Sequence, residues 1–100
     1  MAYNSIELLK AEGVPLSGDS LRISGRRKIL IVASFEGTCS CVLQGRQPGC
    51  DWQVIELLSP GAYDNSAIFE MDNYGWQDVR ALAQEIMPEE SVRVTMSFIE

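Results

Sequence analysis

Arg26–Leu43 reads RRKILIVASFEGTCSCVL, the densest run of β-branched apolar residues in the chain. Within it Ile29, Ile31, Ala33 and Phe35 fall on one face of an extended strand, because successive side chains point to opposite sides. Leu30 and Val32 make the other face apolar too, which predicts an interior strand with protein packed over both sides. Gly37 breaks the run and Thr38–Leu43 resumes it. The stretch therefore reads as two paired strands turning at Glu36-Gly37-Thr38.

Working outward toward the C-terminus, Gln44–Gly49 is turn chemistry, with Pro48-Gly49 matching the central positions of a type II turn. Asp51–Leu58 (DWQVIELL) fits two patterns: Trp52, Ile55 and Leu58 would line a helix, whereas Val54, Ile55 and the preceding Pro-Gly favour a strand. A strand is the reading adopted. Ser66–Met71 is a short strand with Ala67, Phe69 and Met71 on one face. Asp72-Asn73-Tyr74-Gly75 supplies a cap and turn, and Trp76, Val79, Leu82, Ala83 and Ile86 then recur at helical spacing. That stripe predicts an amphipathic helix over about 75–87, stopped by Pro88. Ser91–Glu100 alternates Val92, Val94, Met96 and Phe98 against Arg93, Thr95 and Ser97, as a half-buried antiparallel strand does.

Toward the N-terminus, Leu21-Arg22-Ile23 starts a strand that Ser24-Gly25 interrupts, and Val14–Ser20 is a loop rich in turn formers. Asn4 with Glu7 has the outline of a capping box. Ile6, Leu8 and Leu9 follow, so a short helix is expected from Ser5 to Glu12, closed by Gly13 and Pro15. The expected fold is α+β: a mainly antiparallel sheet of four to five strands with these two helices packed on one face. One hundred residues make a single domain, residues 1–100.

No basic start precedes an apolar core, and the purely apolar run Ile29–Ala33 is far short of the roughly 20 residues that span a bilayer. A cytoplasmic protein with no membrane contact is expected. Cys39, Cys41 and Cys50 occur in a chain with no histidine. Free thiols are the expectation. A disulfide from Cys50 to Cys39 or Cys41, and zinc with Asp51 as fourth ligand, are the weaker alternatives. There is no histidine base, nucleophile elbow, P-loop or calcium loop. Asp51/Glu56 and Glu70/Asp72 are the available carboxylate pairs. A protein that is no enzyme and carries no cofactor or metal is expected.

Net charge is −6, unevenly placed: residues 1–50 hold four acids and six bases, residues 51–100 ten acids and two bases. This asymmetry points to a protein partner with a basic surface. The candidate contacts are Asp64, Asp72, Asp78, Glu85, Glu89 and Glu90, with Tyr63 and Tyr74 as aromatic anchors. Arg26-Arg27-Lys28 is the one nucleic-acid-like feature. It lacks interleaved aromatics in an acidic chain, so nucleic acid is not expected. The profile is that of a small acidic inhibitor or antagonist, of the phage anti-defence or immunity type. The alternative is a structural subunit of a homo-oligomer or phage particle, joined through the final strand and the Arg26–Leu43 hairpin.

Overall fold

The structure, a computed structural model, describes residues 5–61 and 64–99. Among these residues nine strands follow in order: β1 (Ile6–Glu12), β2 (Leu16–Ser17), β3 (Leu21–Arg22), β4 (Lys28–Glu36), β5 (Ser40–Arg46), β6 (Gln53–Leu58), β7 (Ser66–Asp72), β8 (Asp78–Glu85) and β9 (Ser91–Phe98). Sheet I has the order β1-β9-β4-β7 and sheet II the order β2-β8-β5-β6, with β3 beside β2 along the same edge of β8. All pairings are antiparallel. Every connection except β2–β3 and β5–β6 crosses from one sheet to the other, and this interleaved order is that of a jelly roll.

No helix occurs among the described residues, so the α+β expectation is corrected to all-β. The segment expected as a helix over 75–87 contains β8. Val79, Ala81 and Ala83 point into the core, while Arg80 and Leu82 face outward. Its helix-forming composition is overridden by β5 on one side and β2 and β3 on the other. The expected Ser5–Glu12 helix is β1. A bulge between Glu7 and Leu9 turns both Leu8 and Leu9 inward, which disrupts the strand alternation and mimics helical spacing. Glu7 takes no part in a cap. It pairs with Arg93 at 3.0 Å, and Asn4 lies outside the described residues.

The Arg26–Leu43 stretch is also paired differently from expectation. β4 belongs to sheet I and β5 to sheet II, so residues 37–39 form an arch between sheets rather than a hairpin turn. Ile29, Ile31, Ala33 and Phe35 do face the core, with Cys41 and Leu43 opposite from sheet II and Val92, Val94 and Met96 beside them from β9. Leu30 and Val32 lie on the outer face of sheet I, half-buried among neighbouring side chains. β4, β5 and β9 are all flanked on both sides, so the strands expected to join copies of the chain are interior.

The connections β1–β2, β4–β5, β6–β7 and β8–β9 gather at one end of the sandwich, the arch end. There Glu12 and Glu36 flank Ser91, and Ser40 faces Glu85. The connections β3–β4, β5–β6 and β7–β8 gather at the opposite, turn end. Glu90 staples the arch end. Its carboxylate accepts hydrogen bonds from the Thr38 N–H (2.6 Å), the Thr38 hydroxyl (3.2 Å) and the Met87 N–H (2.9 Å). These bonds, Met87 first and then Thr38, hold its carboxyl below the usual carboxylate range.

Candidate interaction face

The two outer faces of the sandwich differ in chemistry. On the outer face of sheet I, Lys28 pairs with Glu70 at 3.2 Å and Arg93 with Glu7 at 3.0 Å, as on an ordinary solvated surface. On sheet II the outward positions of β5 and β8 are Ser40, Val42, Gln44, Arg46, Asp78, Arg80, Leu82 and Gln84. Across the register shift Glu85 stands opposite Ser40, so these two strands carry one glutamate on this face, at its arch end, and no lysine.

The centre of this face is built by a turn. Cys50 N–H bonds to the Gln47 carbonyl at 3.0 Å, and Gly49 sits at φ 74. That is the type II geometry expected for Pro48-Gly49. It reverses the chain so that Trp52 returns beside Arg46. The Arg46 and Arg80 guanidiniums both lie over the Trp52 indole, 4.6 and 4.3 Å from a ring centroid. Arg80 Nε donates to Gln44 Oε1 at 2.9 Å. Arg46 donates through Nη2 (2.8 Å) and Nε (3.3 Å) to Asp78 Oδ2, and Arg22 Nε stands 3.9 Å from Asp78 Oδ1. Asp78 is 5% exposed. Beyond the cluster, Val42 stands level with Leu57 and Leu82, and Gln44 with Val54. Leu57 and Val54 are 60% and 65% exposed.

A fixed aromatic ring under two arginines, ringed by open aliphatic side chains and poor in lysine and glutamate, matches the composition of interface cores. Around Trp52 three arginines stand against one aspartate, which leaves the centre of the face positive. Behind it, Gly45 faces inward, where a Cβ would come within 2.5 Å of Ile55 and 2.7 Å of the Trp76 ring. Trp76 therefore packs on bare backbone at Gly45, where a side chain would not fit.

The sequence-derived contacts do not form one patch. Asp78 and Glu90 are buried in internal bonds. Asp72 and Tyr74 stand at the turn end, where the Tyr74 hydroxyl donates to Asp72 at 3.4 Å and Tyr74 is 89% exposed. Asp64, Glu85 and Glu89 are exposed at the arch end, a strand length away. Tyr63 lies outside the described residues. Sequence reasoning missed Arg46, Trp52 and Arg80. Their signal was weak: a Pro-Gly turn that brings a tryptophan back toward an arginine.

The three cysteines are free thiols: Cys39 and Cys41 are buried and Cys50 is exposed. Burial pushes the Cys41 thiol up to about 12. The carboxylate pair Glu70/Asp72 is taken up by Lys28 and Tyr74. Among the described residues no helix is long and apolar enough to cross a membrane.

No protein-family model matches the chain, and no curated protein matches it. Among solved structures, the SPBc2 prophage-derived protein YomS is similar over 98% of this chain and 94% of its own, with a TM-score of 0.70 and 10% identity. At that identity the likeness concerns the fold, a jelly roll shared over nearly the full length of both chains.

Proposed function

We propose that the protein is a non-enzymatic binding module that docks on a protein partner through the outer face of sheet II. The observation that carries this reading is Trp52, held beneath Arg46 and Arg80 at the centre of a face with exposed Val54 and Leu57. The expectation of a basic partner depended on the acids converging. They divide between two ends, and the arginine-rich face instead calls for a partner with acidic groups around an apolar centre.

A second reading, a structural subunit of a homo-oligomer or phage particle, is supported by the prophage origin of YomS and by the use of jelly rolls in viral capsids. That support is by analogy of fold. The two readings agree if the docking partner is another component of a particle.

The test is capture of partners from the source cell or its particles, comparing the unaltered protein with folded Trp52→Ala and Leu57→Arg. Loss of a central tryptophan anchor should cost at least about 2 kcal/mol of binding, close to a thirtyfold loss of affinity. Reversing Glu85 and Glu89 to lysine should leave binding within a few fold. If both sheet II variants hold the partner as tightly as the unaltered protein, the face is not the contact. If the Glu85 and Glu89 reversal abolishes capture, the acidic reading returns.

A further inference from the structure

A sandwich has sheet edges, and natural proteins block them to prevent strand addition. Three of the edges here are blocked among the described residues. β1 is bulged at Leu8, and the backbone of Gly18 lies against the Leu8 carbonyl. The edge of β8 is covered by β2 and β3, of two residues each, separated by Gly18-Asp19-Ser20. β6 is bulged between its pairings to Leu43 and Gln44.

β7 is different. Its seven residues, SAIFEMD, pair with β4 without a shift and contain no proline, lysine or glycine. The hydrogen bonds at its two ends fix which backbone groups are free. Phe35 N–H donates to the Asn65 carbonyl and Asn73 N–H to the Arg27 carbonyl, so odd-numbered residues of β7 turn their N–H and C=O toward β4. Those of Ser66, Ile68, Glu70 and Asp72 consequently point away from the sheet. Gly61 comes near the Ser66 carbonyl, which leaves Ile68, Glu70 and Asp72 as the open run. Beside it Ile68 is 71% exposed, and Phe69 and Met71 are only partly buried at the edge of the core.

We infer that β7 pairs antiparallel with β7 of a second copy of this chain, joining two sheets I into one continuous eight-stranded sheet. The strand's own charges favour a self-complementary register. With Phe69 on the two-fold axis the strand overlaps itself completely. Ile68 then exchanges both backbone bonds with Glu70 of the other copy, and Asp72 faces Ser66. A shift that puts Ile68 on the axis sets Asp72 against Asp64, and a shift to Glu70 sets two glutamates together. In the favoured register Phe69 meets its symmetry mate, and Ala67 meets Met71, where the sandwich is now thinly covered. An isologous contact of this kind closes as a dimer and does not propagate. One strand per side brings far fewer than the roughly 20–30 residues of a stable interface, so the dimer is weak and concentration-dependent. The inference uses a surface separate from the sheet II face and stands or falls independently of it.

The experiment combines sedimentation with residue-resolved amide exchange on the full chain over a dilution series. The expected result is a monomer–dimer equilibrium in which the Ile68 and Glu70 amides gain protection as concentration rises. The Ala67, Phe69 and Met71 amides should be protected throughout, and the β6 amides should not change. Ile68→Pro removes an N–H that faces away from β4, so it should spare the fold and weaken the dimer at least tenfold. Should that variant not fold, Ile68→Lys places a gatekeeper charge at the same edge and should weaken the dimer likewise. A monomer at every concentration, protection appearing on a different edge, or a folded Ile68 variant that dimerises as before would overturn the inference.

Discussion

Replacing Asp78 with alanine should cost about 2 kcal/mol of stability. The carboxylate is almost wholly removed from water and receives two hydrogen bonds from Arg46, at 2.8 and 3.3 Å. A hydrogen bond to a charged group contributes about 1.5–3 kcal/mol net when buried. Only the 2.8 Å bond has strong geometry, and the Arg46 side chain is 39% exposed, so the freed guanidinium regains water. Arg22, 3.9 Å away and largely solvated, adds no more than a few tenths of about 1 kcal/mol. The opposite truncation, Arg46→Met, should cost more, about 3 kcal/mol, because it leaves the buried carboxylate with Arg22 alone. It also removes a guanidinium from Trp52. Urea unfolding of both single variants and the double variant forms a cycle. Because each single change strands the same interaction, the double should lie about 2 kcal/mol closer to the unaltered protein than the sum of the singles. For a domain of this size, about 2 kcal/mol corresponds to a fall in Tm of roughly 8–16 °C. An Asp78→Ala variant within about 0.5 kcal/mol of the unaltered protein, the range of inert surface changes, would refute the role given to the pair. Strict additivity would refute it as well.

Gly45→Ala should destabilise by about 1–3 kcal/mol, the usual penalty of overpacking, because its methyl collides with Ile55 and the Trp76 ring. In a Trp76→Leu background the same substitution should cost less, and an equal cost in both backgrounds would count against the collision. Glu90→Gln tests the arch staple by pH. The folded carboxyl is held below its ordinary value of 4.5, so the stabilisation is present above that value and disappears as pH falls through the lowered one. The stability curves of the unaltered protein and Glu90→Gln should therefore be separated at neutral pH and converge in acid, whereas curves that stay parallel would remove Glu90 from the account.

How much of the fold was legible depended on whether a segment's own periodicity survived folding. β9 and β7 were readable because Val92, Val94 and Met96, and Ala67, Phe69 and Met71, alternate without interruption and pack as they alternate. The type II turn at Pro48-Gly49 was readable for a local reason, the φ preferences of those two residues. β1 was hidden by its bulge. β8 was hidden because two of its three inward residues, Ala81 and Ala83, are too small to mark a face, while outward Leu82 suggested the wrong one. Pairing between sheets was not legible at all. Nothing within residues 26–43 says whether Gly37 turns the chain back onto its neighbour or across the core, because the groups that hold the arch are remote: β5 pairs with β8 and β6, and Thr38 is bound by Glu90, fifty-two residues beyond it.

The helix expected over 75–87 and the expectation of a single acidic patch have one origin. Asp78 and Glu85 are seven residues apart. On a helix they would share a face about 10 Å apart, close enough to belong to one acidic surface with the loop acids. On β8 the same separation is about 23 Å and carries them to opposite ends of the sandwich. One end delivers Asp78 to Arg46 and Arg22, and the other leaves Glu85 with Glu89 at the arches. Reading β8 correctly thus dissolves the acidic patch and creates the basic face in a single step. The same extended backbone turns Arg80 outward beside Gln44, within reach of Trp52.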